Sequence, residues 1–216
     1  MKKINEYKAF ILDMDGTLYF QTLLRINMAL ELLYYYLLHP LKIKDLFILK
    51  YYRKIREKKE AYLSRDFINE QYRIVGDRFN TSEEYVKKIV EIWIYDRPLK
   101  YIKRFKDDYL INLMNSLKKD GAKIIIYSDY PVESKVKVLK IQCDYMFSAN
   151  DKDISCLKPN TKGLEFILKS TNLIKDEILF IGDRYEKDGK CAENCGIDFL
   201  ILSPKKSKRI KQIRGI

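Results

Sequence analysis

The sequence predicts an α/β fold, a parallel sheet with helices between its strands and a long helical segment inserted after the first strand. Five short runs are strongly apolar and rich in β-branched or aromatic residues: "KAFILD" (8–13), "AKIIIYS" (122–128), "DYMFSA" (144–149), "EILFIGD" (177–183) and "DFLILS" (198–203). Their apolar stretches are continuous more than alternating, which suits strands buried on both faces of a parallel sheet. Helical patterns separate the later runs, and strand–helix–strand repetition argues for α/β architecture. Nearly ninety residues after the first run hold no strand pattern, too long a stretch to be a loop.

In chain order, the first strand leads into a segment that reads as helical throughout, for example "LRINMALELLYYYLL" and "DLFILKYYRKIREKKEAYL". "NTSEEYVKKIVEIW" opens with a capping residue, Thr81 or Ser82, and acids in the first turn. Residues 20–105 hold 10 of the 17 tyrosines. These Tyr- and Leu-rich helices are assigned to the interior of the insertion, with a membrane-surface or partner face as the alternative. His39, the only histidine, stands next to Pro40 and reads as a helix-end residue more than a catalyst. Beyond the insertion, "YLINLMNSLKKDG" stops at Gly121 before the second strand. "NTKGLEFILKST" and "YEKDGKCAENCG" precede the last two strands in the same way. Cys191 and Cys195, four apart on the second of these helices, read as small core residues, because no His or further Cys pair completes a metal site. The expected division is a discontinuous core, 1–18 and 106–216, and a helical cap, 19–105, lying over the strand ends.

The bulk numbers exclude several classes. The 216 residues fit one sizeable domain or a domain with an insertion, and 47% hydrophobic content excludes disorder. The basic N-terminus lacks the apolar run and cleavage site of a signal peptide, and no apolar run reaches membrane-span length. Cys143, Cys156, Cys191 and Cys195 are scattered, unlike a secreted disulfide scaffold, so a reducing cytoplasm is expected. Net charge is +12. Residues 20–105 contribute +7 of it, from 18 Lys or Arg against 11 Asp or Glu, and the tail from Pro204 contributes +6. The tail, "PKKSKRIKQIRGI", is expected to be solvated or frayed, an anionic-membrane contact being the alternative. Its scant aromatic content argues against specific nucleic-acid reading.

The chemistry lies at the strand ends. Asp13 and Asp15 follow the first strand, Ser128 ends the second, and Asp183 and Asp188 follow the fourth. Lys158, in "SCLKPN", comes after the third. A parallel sheet brings these groups to one edge, where α/β sites form. Carboxylates that bind Mg²⁺, a hydroxyl and a lysine suit phosphoryl transfer, in which an Asp can attack phosphorus directly. "DMDGT" is no EF-hand loop, since Gly16 comes too early and a strand precedes it. The chain has no GxxxxGK[ST] loop to support ATP binding.

In order and type, "DMDGT", "IIIYSD", "LKP" and "IGDRYEKD" resemble the four motifs of the haloacid dehalogenase-like hydrolase superfamily. The resemblance runs from residue 13 to 188 and implies a Rossmann-like core with a helical cap after the first motif. By position it implies that Asp13 is the nucleophile. Asp15 would be the general acid and then base, and its backbone carbonyl a metal ligand. Ser128 would bond the phosphoryl group, Lys158 would pair with Asp13 and the phosphate, and Asp183 would complete a Mg²⁺ site. Asp188 would bind the metal or orient Lys158. Gly16 and Thr17 would shape the phosphate loop. The founding dehalogenases lack the second Asp of the first motif, so Asp15 points to phosphate chemistry. The expectation is a Mg²⁺-dependent phosphatase acting on a small phosphorylated metabolite. A sugar phosphomutase and a non-catalytic binding protein on the same fold stay open. Arg25, Arg65, Asn69, Arg73 and Arg78 are the candidate substrate selectors in the cap.

Overall fold

A computed structural model describes residues 2–59, 61 and 67–215. All five predicted strands form: β1 (Ala9–Leu12), β2 (Lys123–Ser128), β3 (Tyr145–Ser148), β4 (Ile178–Gly182) and β5 (Asp198–Ile201). They make one parallel sheet in the order β3-β2-β1-β4-β5. Strand β1 is central, pairing Ala9–Leu12 with Lys123–Ile126 on one side and Ile178–Ile181 on the other. Its four side chains are fully buried, which is why this strand reads as an unbroken apolar run. Burial of a side chain such as Phe10 or Ile11 is worth roughly 2 kcal/mol.

Strand periodicity splits the interior into two layers. Phe10, Leu12, Ile124, Ile126, Leu179 and Ile181 face one layer. There they meet Leu110, Ile111 and Met114 of helix α6 (Asp108–Lys119). Ile11, Ile125, Tyr127 and Phe180 face the other layer, against Leu164 and Ile167 of helix α8 (Lys162–Thr171). Cys191 and Cys195 of helix α9 (Lys190–Cys195) lie in that second layer as buried free thiols.

Between β1 and α6 every described element is helical. The order is α1 (Gln21–Leu38), α2 (Lys44–Arg56), α3 (Phe67–Phe79), α4 (Glu83–Val90) and α5 (Leu99–Arg104). A π-helical turn, Glu91–Asp96, prolongs α4. Ser82 caps α4 by accepting the Tyr85 N–H at 3.2 Å. The insertion leaves and rejoins the core at one place, an antiparallel bridge between Tyr19 and Lys106. Beside it the Phe20 N–H donates to the Phe105 carbonyl at 2.8 Å, and the Asp107 N–H to the Leu18 carbonyl at 2.9 Å. His39 is the residue that ends α1, bonded through Nδ1 to the Tyr35 carbonyl at 2.8 Å and stacked on the Tyr35 ring.

The basic tail is neither frayed nor wholly solvated. It forms helix α10 (Lys206–Arg214), which turns Arg209 and Ile213 inward, four residues apart on one face. Among the described residues no helix is long and apolar enough to cross a membrane.

Candidate active site

The carboxyl ends of β1, β2 and β4 converge with the loop after β3. The Asp13 N–H continues the sheet ladder, donating to the Ile181 carbonyl at 2.9 Å, so the first acid starts from a rigid backbone. Its carboxylate accepts the Thr17 hydroxyl at 3.1 Å and the Lys158 ammonium at 2.6 Å. Lys158 is 1% exposed and also reaches Asp188 at 2.6 Å. The other Asp188 oxygen accepts the backbone N–H groups of Asp183 and Arg184 at 3.2 and 3.1 Å. Asp188 thus pairs with Lys158 and holds the loop after β4, and its carboxylate also stands beside those of Asp13 and Asp183, so the geometry is compatible with either role expected of it.

Close approach shapes this floor. Gly16 has φ +100°, and a Cβ there would stand 2.1 Å from an Asp183 carboxylate oxygen. A Cβ on Gly182 would meet the Asp188 side chain at 2.4 Å. Oxygens of Asp13, Asp183 and Asp188 lie within 4.8 Å of one another. Three carboxylates that close repel unless a cation joins them. Burial and the charges of Asp188, Asp183 and Asp15 hold the Asp13 carboxyl well above its ordinary range, with Lys158 pulling the other way. Burial, then Asp188, pushes Asp183 from 3.8 to about 6. Burial works against the Lys158 charge, but Asp13, Asp188 and Asp129 outweigh it and keep the ammonium charged.

Asp183 has a consequence for stability. Between about pH 4 and pH 6 the native metal-free protein holds a proton on Asp183 that the unfolded chain has released. Stability is therefore expected to fall as pH rises through that window, by on the order of 2 kcal/mol. Urea unfolding across that range, beside Asp183→Asn, measures it: the variant should show a flatter profile.

Asp15 has separate surroundings. Lys135 donates to its two oxygens at 2.6 and 2.8 Å, Ser128 donates at 3.2 Å, and the Tyr19 hydroxyl also donates. Burial alone would raise the Asp15 carboxyl, but Lys135, Tyr19 and Ser128 hold it below the usual range. Ser128 also accepts the Tyr130 N–H at 3.2 Å. Lys135, on helix α7 (Glu133–Leu139), was not anticipated. Its signal is a lysine on the apolar face, three residues after buried Val132 and four before buried Leu139.

Arg209 holds the same loop from behind. It is 1% exposed and donates to the carbonyls of Gly16 and Thr17 at 2.6 and 2.7 Å. It also pairs with Asp107 at 2.9 Å, while Asp107 caps α6 through the Leu110 N–H. Arg209→Met is expected to cost about 3–5 kcal/mol by leaving buried Asp107 and two carbonyls unpaired. Equilibrium urea unfolding checks this.

A cavity of about 550 Å³ opens over these groups. Its far wall comes from the insertion, with Leu24 and Arg25 of α1 and Arg53 and Arg56 of α2. The end of α2 grips the core on both sides. Buried Arg56 donates to the Asp129 carbonyl and stacks over Tyr130 at 4.3 Å. Glu57 takes a two-pronged pair from Arg184 at 3.0 and 2.9 Å. Of the expected selectors, Arg25 lines the cavity. Asn69, Arg73 and Arg78 do not: they are exposed on α3, and Arg73 pairs with Glu70 at 2.6 Å. Their polar helix face meets solvent, which a sequence cannot distinguish from a face turned to the site. Arg65 lies outside the described residues.

The order of the sheet, the helical insertion after β1 and acids at the strand ends define an α/β protein with a Rossmann-like core and an inserted helical cap. A family model of haloacid dehalogenase-like hydrolases matches residues 7–196, and the chain belongs to that family. No curated protein matches it by sequence. Among solved structures it resembles the HAD phosphatase of Thermococcus onnurineus, with TM-score 0.61, 20% identity, and 91% of this chain and 86% of that one covered. The 2-haloacid dehalogenase of Pseudomonas syringae pv. Tomato DC3000 also has TM-score 0.61, at 10% identity, with 91% and 86% covered. YfnB of Bacillus subtilis, solved with magnesium bound, has TM-score 0.60 at 14% identity, with 93% and 89% covered. Identities this low speak to the fold, and these neighbours include both phosphate and carbon–halogen chemistry.

Proposed function

We propose that this hydrolase is a Mg²⁺-dependent phosphatase that cleaves small phosphate monoesters through an aspartyl phosphate on Asp13. The observation that carries the reading is the separation of the two acids of "DMDGT". Asp13 sits with Lys158 and the other carboxylates, whereas Asp15 sits with Lys135, Tyr19 and Ser128. Acids placed in different environments can divide nucleophile from proton carrier.

In the first step an Asp13 oxygen attacks phosphorus in line and the ester P–O bond breaks, its electron pair leaving on the alcohol oxygen. Asp15 gives that oxygen a proton. An approaching phosphate adds negative charge beside Asp15 and so raises its carboxyl toward the protonated state this step needs. In the second step Asp15, now ionised and steadied by Lys135, takes a proton from water. That water attacks phosphorus, inorganic phosphate leaves, and the Asp13 carboxylate is restored. Lys158 offsets the charge of Asp13 and the phosphate throughout.

The donor set suits a hard cation: carboxylate oxygens are gathered within 4.8 Å, and burial, then the neighbouring acids, raises the carboxyls of Asp13 and Asp183. Asp13 and Asp183, with the Asp15 main-chain carbonyl, would hold it, and Mg²⁺ there supplies charge neutralisation at the phosphate. The cavity has the size of a small-molecule site. Arg25, Arg53 and Arg56 on its cap wall favour leaving groups that carry negative charge.

The test is phosphate release from a panel of acidic and neutral phosphate monoesters, with Mg²⁺ or with chelator. Release that depends on Mg²⁺ and favours acidic esters supports the reading. Phosphoryl transfer between sugar positions without inorganic phosphate would make the chain a phosphomutase. No turnover of any ester would favour a binding role.

A further inference from the structure

The outer face of α1 differs from the rest of the surface. Fifteen large apolar side chains are exposed among the described residues, and ten of them fall between Leu23 and Phe47. On α1 they follow a 3-4-3-4 spacing: Leu23, Ile26, Leu30, Leu33 and Leu37, between 47% and 71% exposed. Tyr34 and Leu38 widen this stripe, and Leu41, 99% exposed, extends it past the helix end. The opposite side of the helix is already used, since Leu24, Met28 and Tyr36 pack into the interior. Such spacing is the seam of a coiled coil, and a patch this large marks an interaction site.

We propose that this seam is a homodimer contact, in which α1 packs antiparallel against α1 of a second copy. About Leu30 the 3-4-3-4 stripe pairs apolar with apolar at most positions, Leu33 alone meeting a polar residue, Asn27. A two-fold axis there sets position 23 against 37, 26 against 34 and 30 against itself, as an isologous contact requires. The exposed apolar side chains of α1 present on the order of 750 Å² per chain, so full pairing of two copies covers about the area of a standard interface, roughly 1,600 Å² in total. Charge is absent from the α1 part of the seam; exposed Lys42 and Lys44 flank its far end, beyond the helix. Of the two charged residues of α1, Arg25 lines the catalytic cavity and Glu31 is held by Arg97 and Lys100. That suits the core of a protein interface. A helix lying on a membrane carries Lys and Arg along its polar face, and α1 has Arg25 alone.

Sedimentation equilibrium of the full chain tests this, with the double variant Leu30→Glu, Leu33→Glu beside it. The expected mass is twice the 25.9 kDa of one chain, and the double variant should run as a monomer that keeps the wild-type far-UV circular dichroism and a cooperative melt. A second probe works even if the double variant is unstable. Leu30→Cys, placed on the axis, should oxidise to a covalent dimer, whereas the similarly exposed Ile174→Cys should not. The proposal is overturned by a wild-type monomer, whether or not it pellets with phosphatidylserine vesicles. A dimer that survives the double variant, with no selective Leu30→Cys cross-link, overturns it too.

Discussion

Replacing Asp13 with Asn is expected to lower turnover of any phosphate ester by at least about a thousandfold, because an amide cannot serve as the nucleophile. The fold should survive. Asp13 is a buried acid among Asp183, Asp188 and Asp15, and its carboxyl is held well above the ordinary range. Its ionised form is thus costly in the native state near neutral pH, and a neutral isostere removes that cost. Lys158 keeps Asp188 as a partner at 2.6 Å. The metal-free variant should melt no lower than the wild type, and calorimetry beside the rate assay separates lost chemistry from lost structure.

Lys158→Met should damage both. The substitution keeps the stem but removes the cation that meets Asp13 and Asp188 at 2.6 Å. Breaking a buried pair in this way costs about 3–5 kcal/mol, and turnover should fall with it, since the ammonium that offsets the charge of the attacking carboxylate is gone. The sign of the pH dependence is specific. Without Lys158 the native Asp13 carboxyl rises further above its value in the unfolded chain, so the native state takes up protons as pH falls. The variant's deficit should therefore shrink from pH 7 toward pH 5, which urea unfolding at the two pH values measures.

Much of this was legible in the sequence, for physical reasons. Parallel strands buried on both faces must be unbroken apolar runs, so "KAFILD" and "EILFIGD" announced themselves, and a parallel sheet brings their acids to one edge. The helical insertion was visible as strand-free length. The cations were harder. Lys135, Arg56 and Arg209 each sit on the buried face of an amphipathic helix: near Val132 and Leu139, one turn after Tyr52, and one turn before Ile213. A charge at an apolar-face position is rarely buried unless paired, and that is the signal to look for. Asn69, Arg73 and Arg78 have the residue types of a binding site but occupy a solvent-facing surface. The Tyr- and Leu-rich first helix was split by the fold, half of it interior and half exposed seam.

The central claim is that Asp13 carries the phosphoryl group. The most direct measurement is peptide mass analysis of enzyme acid-quenched during turnover of a phosphate monoester with Mg²⁺, wild type beside Asp13→Asn. One phosphoryl group on the peptide containing Asp13, lost in the variant, is the predicted result. Phosphate released at full rate with that peptide unmodified, or with the label on another residue, would contradict it.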